Sequence, residues 1–185
     1  MHTYPTYSFA QVERALAAVH EIPEAAMGSF SARFKHLHRL GMFPSSPGKG
    51  KRIAYSLDDV YLWALCLQLE EFGLDPEKIK AFYKLSFGHI VSLLVSGKSK
   101  KYWVFPPNFL SQWYSRPDLA VIYNRPDLAA EETLWKASGA FVDDLSEIDQ
   151  GSGPVFDVLK KRSAAINLTW LREAVRKSLL APPEC

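Results

Sequence analysis

The run "SLDDVYLWALCLQLEEFG", Ser56 to Gly73, leaves the backbone little choice. Ser56 can cap a helix, and Asp59, three residues on, stands in a capping-box relation to it. Val60, Trp63, Ala64 and Leu67 recur at the spacing of one helix face, and Gly73 ends the run. Asp75 and Pro76 then open another helix, as cap and first residue.

The same punctuation organises the chain upstream. Ser8 can cap a helix whose apolar positions are Phe9, Val12, Leu16 and Val19. Pro23 and Gly28 break that pattern, and a second helix is expected from Ser29 or Ser31. Its stripe is Phe30, Phe34, Leu37 and Leu40, with Gly41 where a left-handed cap belongs. Pro44, Pro47, Gly48 and Gly50 forbid helix next, while "RIAYS" alternates as a strand does. A short β-hairpin with a cationic tip is the expectation for this stretch.

Charge is distributed unevenly. The 185-residue chain carries a net charge of only +2. Yet Ala25 to Leu57 holds Arg33, Lys35, Arg39, Lys49, Lys51 and Arg52 and no acid at all. Glu21 and Glu24 before it, and Asp58 and Asp59 after it, compensate. A cationic stripe on a nearly neutral protein points to one polyanion-binding face.

The order helix, turn, cationic helix, basic hairpin, helix, helix is that of a winged helix-turn-helix. "HRLGMFP", "AYSLDDV" and "EEFGLDPEKI", in that order and spacing, resemble the DNA-binding domain of the MerR family over roughly residues 6–84. The resemblance implies a winged fold that contacts double-stranded DNA. Three departures limit what it implies. Lys35-His36-Leu37 stands where the family has an Arg-Tyr-Tyr-like run, and the connection between the first two helices is longer. No long heptad coiled coil follows residue 85. The family's metal or drug sensing is therefore not implied.

The second half reads as a small α+β module, so the expected division is residues 1–84 and 85–185, and the class α+β. "KYWVF" (101–105), "LAVIY" (119–123) and "GAFVDDL" (139–145) are the candidate strands. "INLTWLREAVRKSLL" is the closing helix, capped by Asn167 or Thr169, with Leu168, Leu171, Val175 and Leu179 along one side. Tyr102, Trp103, Phe105, Phe109, Trp113 and Tyr114 are expected to build a second core with a dimer interface, more than a ligand pocket.

Other chemistries find little support. His36 and His38 point about 200° apart on a helix and cannot chelate one ion. "SPGKGK" does not meet the phosphate-loop pattern. His89 sits among apolar residues, and no nucleophile-base constellation is found, so no enzyme, cofactor or metal site is expected. Cys66 and Cys185 make no disulfide framework, which fits a reducing cytoplasm. No apolar run approaches the roughly 20 residues of a membrane span. "MHTYPTYSFAQ" lacks the layout of a secretory signal.

The expected function is thus a sequence-specific DNA-binding transcriptional regulator, acting as a homodimer because two-fold proteins read two-fold sites. An architectural or excision-type DNA-binding protein of a mobile element is the first alternative, and a protein-interaction adaptor on a winged fold the second. The DNA-contacting residues would be Ser31, Arg33, Lys35, His36 and Arg39 on the second helix and Lys49, Lys51 and Arg52 on the wing. Arg33 is expected to read a base, because a guanidinium can pair bidentately with guanine. Lys35 and Arg39 are expected mainly to clamp phosphates.

Overall fold

The computed structural model describes residues 5–42, 52–96, 102–105, 140–151 and 164–181 of the chain. Helix α1 (Phe9–Val19) starts where Ser8 can cap it. The Ser8 hydroxyl accepts from the Gln11 amide, and the Gln11 side chain accepts from the Ser8 amide at 2.9 Å. Val12, Leu16 and Val19 are buried. The helix ends in a Schellman arrangement: the Ile22 amide donates to the Ala17 carbonyl at 2.9 Å, and the Glu21 amide to that of Ala18 at 3.3 Å. That arrangement needs a left-handed residue, and Glu21 supplies it at φ 50°.

A 3-10 turn, Glu24–Ala26, feeds directly into helix α2 (Met27–Arg39). The second helix therefore begins before Ser29, with Gly28 inside its first turn. Phe30, Phe34 and Leu37 are buried as expected, and Gly41 follows the helix at φ +73°.

Helix α3 (Leu57–Glu71) shows the reciprocal cap: the Asp59 amide donates to Ser56 Oγ at 3.2 Å and the Ser56 amide to Asp59 Oδ2 at 2.8 Å. Its end is a second Schellman arrangement around Gly73, at φ +79°. The Leu74 amide bonds the Leu69 carbonyl at 3.1 Å, and the Gly73 amide that of Glu70 at 2.8 Å. One expectation is corrected here. The apolar residues of α3 do not make one face, because Val60 through Leu67 are all buried. A helix apolar all round must be enclosed by its neighbours. Cys66 belongs to this enclosed core, and burial, with Glu70 adding to it, pushes its thiol far above the usual range.

Helix α4 (Pro76–Ser96) begins at Pro76, with Asp75 Oδ1 accepting from the Glu77 amide at 2.9 Å. The expected division at 84/85 falls inside this helix. By its contacts the chain forms two units, Met1–Gly97 with Trp170–Cys185, and Lys98–Thr169.

In the first unit Phe34 and Trp63 stack with ring centroids 3.6 Å apart. Phe9 and Phe30 pack against Phe34 at 5.1 and 6.0 Å. Tyr7 and Tyr55 form an isolated antiparallel bridge, each amide donating to the other's carbonyl at 2.8 Å. Both bridging residues immediately precede an N-cap, so this one pairing aligns the starts of α1 and α3. Of the expected hairpin over residues 42–56, residues 43–51 lie outside the described residues, and "RIAYS" is corrected: it forms no strand, and its Tyr55 pairs in a single bridge with Tyr7. Late in the chain, Arg176 Nε donates to the buried Tyr61 hydroxyl at 2.8 Å.

The second unit holds a three-stranded antiparallel sheet with β1 (Tyr102–Phe105) between β2 (Ala140–Val142) and β3 (Ala164–Asn167). Trp103 lies opposite Phe141 on one side and Ile166 on the other. Val104 and Val142 pack with Ile148 from a short helix, α5 (Glu147–Gln150), against Tyr102 and Ala165. Trp103 and Phe105 are fully buried, with ring centroids 4.5 Å apart, as expected of a second core. Phe109, Trp113, Tyr114 and the candidate strand 119–123 lie outside the described residues. Of the two expected caps of the closing helix, Asn167 is the one at its start: Ile166 and Asn167 belong to β3, and helix α6 (Leu168–Leu180) begins directly after it. The class is α+β, and no helix among the described residues is long and apolar enough to cross a membrane.

Two measurements of unfolding check this packing. Trp63→Ala should cost about 3–5 kcal/mol, since it removes the largest side chain of an enclosed core. Glu21→Gly should instead stabilise by about 1 kcal/mol, because glycine adopts the left-handed position without a Cβ penalty. Urea midpoints moving the other way would refute the corresponding assignment.

Candidate nucleic-acid interface

The roll of α2 about its own axis is set by its apolar stripe. With Phe30, Phe34 and Leu37 turned inward, a period of 3.6 residues puts Lys35, His36 and Arg39 outward, and all three are exposed. Ser31 and Arg33, at the edge of the stripe, are half-buried. Arg52 is exposed on the segment leading into Tyr55. Lys49 and Lys51 lie outside the described residues.

Lys35 and Arg39 border a groove of about 400 Å³ whose other walls are Phe9, His38, Ile53 and Tyr55. The Tyr7–Tyr55 bridge holds one wall and α2 the other, so the groove joins the cationic helix to the segment that carries Arg52. Tyr55 is fully buried, and burial, with Asp59 second, raises its hydroxyl above the ordinary range. It stays neutral at physiological pH, and the fixed charges on this groove are positive. Among the described residues no carboxylate lies within ion-pair distance of Lys35, Arg39 or Arg52.

Arg33 differs. Its Nε lies 3.4 Å from Glu70 Oε2, near the end of α3. Glu70 is largely buried, its side chain 11% exposed. Burial raises its carboxyl above the usual range, while the Arg33 guanidinium and His36 pull it back down. The segment that is acid-free in sequence thus acquires one acid in space. Sequence spacing could not signal this pair, because the partners sit on different helices. The wall residues Phe9, Ile53 and Tyr55 were equally hidden, each being an ordinary apolar position of its own segment.

His36 and His38 part company as the helix period requires. His36 is exposed, while His38 is half-buried with its ring 6.4 Å from that of Trp63. Among the described residues no group of three or more His, Cys, Asp or Glu could hold a metal ion.

A carboxyl raised by burial contributes stability at low pH that is lost as pH rises through its folded pKa. Wild type should therefore lose stability relative to Glu70→Gln as pH rises from the ordinary carboxyl range, about 4, through the raised folded pKa. Arg33→Ala removes the main influence pulling that carboxyl down, so the loss should be larger in an Arg33→Ala background. Urea unfolding of the four proteins at several pH values tests both statements, and parallel pH profiles would contradict them. In comparisons with protein families, curated proteins and solved structures nothing matches the chain, so the chemistry of this face carries the functional reading.

Proposed function

We propose that residues 1–84 form a winged helix-turn-helix of the MerR type, and that the protein is a sequence-specific DNA-binding transcriptional regulator. In this reading it acts as a homodimer in the cytoplasm on double-stranded DNA. The observation that carries the reading is the acid-free cationic groove: Lys35 and Arg39 on its helical wall, and Arg52 beside its other wall. A polyanion that lies along such a face releases counterions, which supplies most of its affinity. An exposed helix face of this width also fits a major groove.

The roles follow from the surroundings of each residue. Lys35, Arg39 and Arg52, exposed and without a carboxylate partner among the described residues, suit phosphates, together with Lys49 and Lys51 on the wing. Ser31 and His36 border the same face. Arg33 can read a base only by giving up Glu70, so its contact with DNA competes with an existing ion pair.

Binding to duplex DNA should weaken steeply with salt. Lys35→Ala, Arg39→Ala and Arg52→Ala should each lower the slope of log affinity against log salt by about 1, uniformly across sequences. Arg33→Ala should relax preference at one base pair of each half-site and spare non-specific binding. Glu70→Gln, which frees the guanidinium, should tighten binding. Fluorescence anisotropy over a salt series measures these effects, on sites recovered by genome-wide pull-down of bound DNA. A chain with no duplex affinity, or variants with an unchanged salt slope, would end this reading.

A further inference from the structure

Two side chains that line the α2 groove each hold a buried polar atom with no hydrogen-bond partner among the described residues: Tyr55 Oη and His38 Nε2. Tyr55 is fully buried, so water does not serve its hydroxyl either. Buried polar groups are nearly always paired, because leaving one unpaired is costly. Two orphans on one small groove therefore mark a place for a ligand's polar group. His38 and Arg39 follow Lys35 by three and four positions, so the three share one side of α2. The remaining lining is apolar, from Phe9, Ile53 and the ring of Tyr55, and no lining residue among those described carries a carboxylate. Every polar group on the groove can thus donate a hydrogen bond, and two of the donors are permanent cations. A volume of about 400 Å³ takes a small molecule of one ring and a short chain.

We propose that this groove binds an aromatic monocarboxylate, its carboxylate accepting from Lys35, Arg39, His38 Nε2 and the Tyr55 hydroxyl and its ring lying on Phe9 and Ile53. A carboxylate has about four lone-pair sites and no proton to place, which matches a wall made only of donors. Arginine and lysine bond it with charge assistance. A bare inorganic anion would leave the apolar walls uncovered, and a neutral aromatic would leave the cations unmatched. The ligand also acts on DNA binding. Lys35 and Arg39 are the cations that the function proposed above assigns to phosphates, so acid and duplex exclude one another, and the acid releases the protein from its sites. Only this regulatory consequence rests on the DNA reading; the binding of the acid does not.

Calorimetric titration of the full chain, without DNA, takes 3-phenylpropionate as the probe, and it should bind. 3-Phenylpropanamide, which lacks the charge, and propionate, which lacks the ring, should each bind at least about tenfold more weakly. Tyr55→Phe and Arg39→Ala should each raise the probe's Kd about tenfold. Tyr55→Phe should not lower the urea midpoint of the free protein, because it removes a hydroxyl that has no partner there, so its weaker binding is not a loss of fold. Fluorescence anisotropy on duplex DNA at fixed salt then adds the probe at about ten times its Kd, where mutual exclusion raises the DNA Kd about tenfold. A probe that does not bind overturns the inference and leaves the DNA reading untouched. Amide or propionate binding as tightly as the probe overturns the assigned chemistry, and variants that bind it like wild type overturn the site. A probe that binds a chain with no duplex affinity supports the site while the DNA reading ends. A duplex Kd unmoved by bound probe overturns the exclusion.

Discussion

The first unit depends on the contact between Phe34 and Trp63. Their rings lie closer than any other aromatic pair described, with Phe9 and Phe30 completing the group. Three helices meet at this point. Because Phe34 is held from several directions, α2 cannot roll, and the side chains opposite its stripe have one place to go. The exposure of Lys35, His36 and Arg39 is thus a consequence of core packing. The groove they border follows from the same constraint plus one backbone bridge, Tyr7 to Tyr55.

Helix α3 shows how this core is closed. Both its ends are specified locally, by the Ser56–Asp59 cap and by Gly73, while its middle is buried on all sides. Local signals define its length, and the neighbours stabilise it. The Arg176–Tyr61 bond satisfies a hydroxyl that would otherwise be buried unpaired, at a cost of about 1–3 kcal/mol. It also orients α6 so that the Trp170 face is the outward one.

Electrostatics on the proposed DNA face is a matter of which cations remain available. Counting along the chain treats the six cations from Arg33 to Arg52 as equivalent. In space Arg33 is engaged by Glu70, a carboxylate made costly by burial and kept ionisable by the guanidinium and His36 beside it. Lys35 and Arg39 have no such partner among the described residues. The face therefore contains one conditional cation among permanent ones.

Caps, left-handed glycines and apolar periodicity were legible in the sequence because they act over a few residues. Ser8, Gly41, Ser56, Gly73 and Pro76 mark helix ends without any knowledge of the rest. So were the strands at 102 and 140, and the α+β class. What depends on two distant segments was not legible. The all-round burial of α3, the third strand at Ala164–Asn167, the Glu70 partner of Arg33 and the walls of the groove each need a neighbour whose identity sequence distance does not encode. Local hydrogen bonding and steric preference are written residue by residue. Burial and ion pairing are decided only when the chain closes on itself and water is removed from particular pairs of side chains.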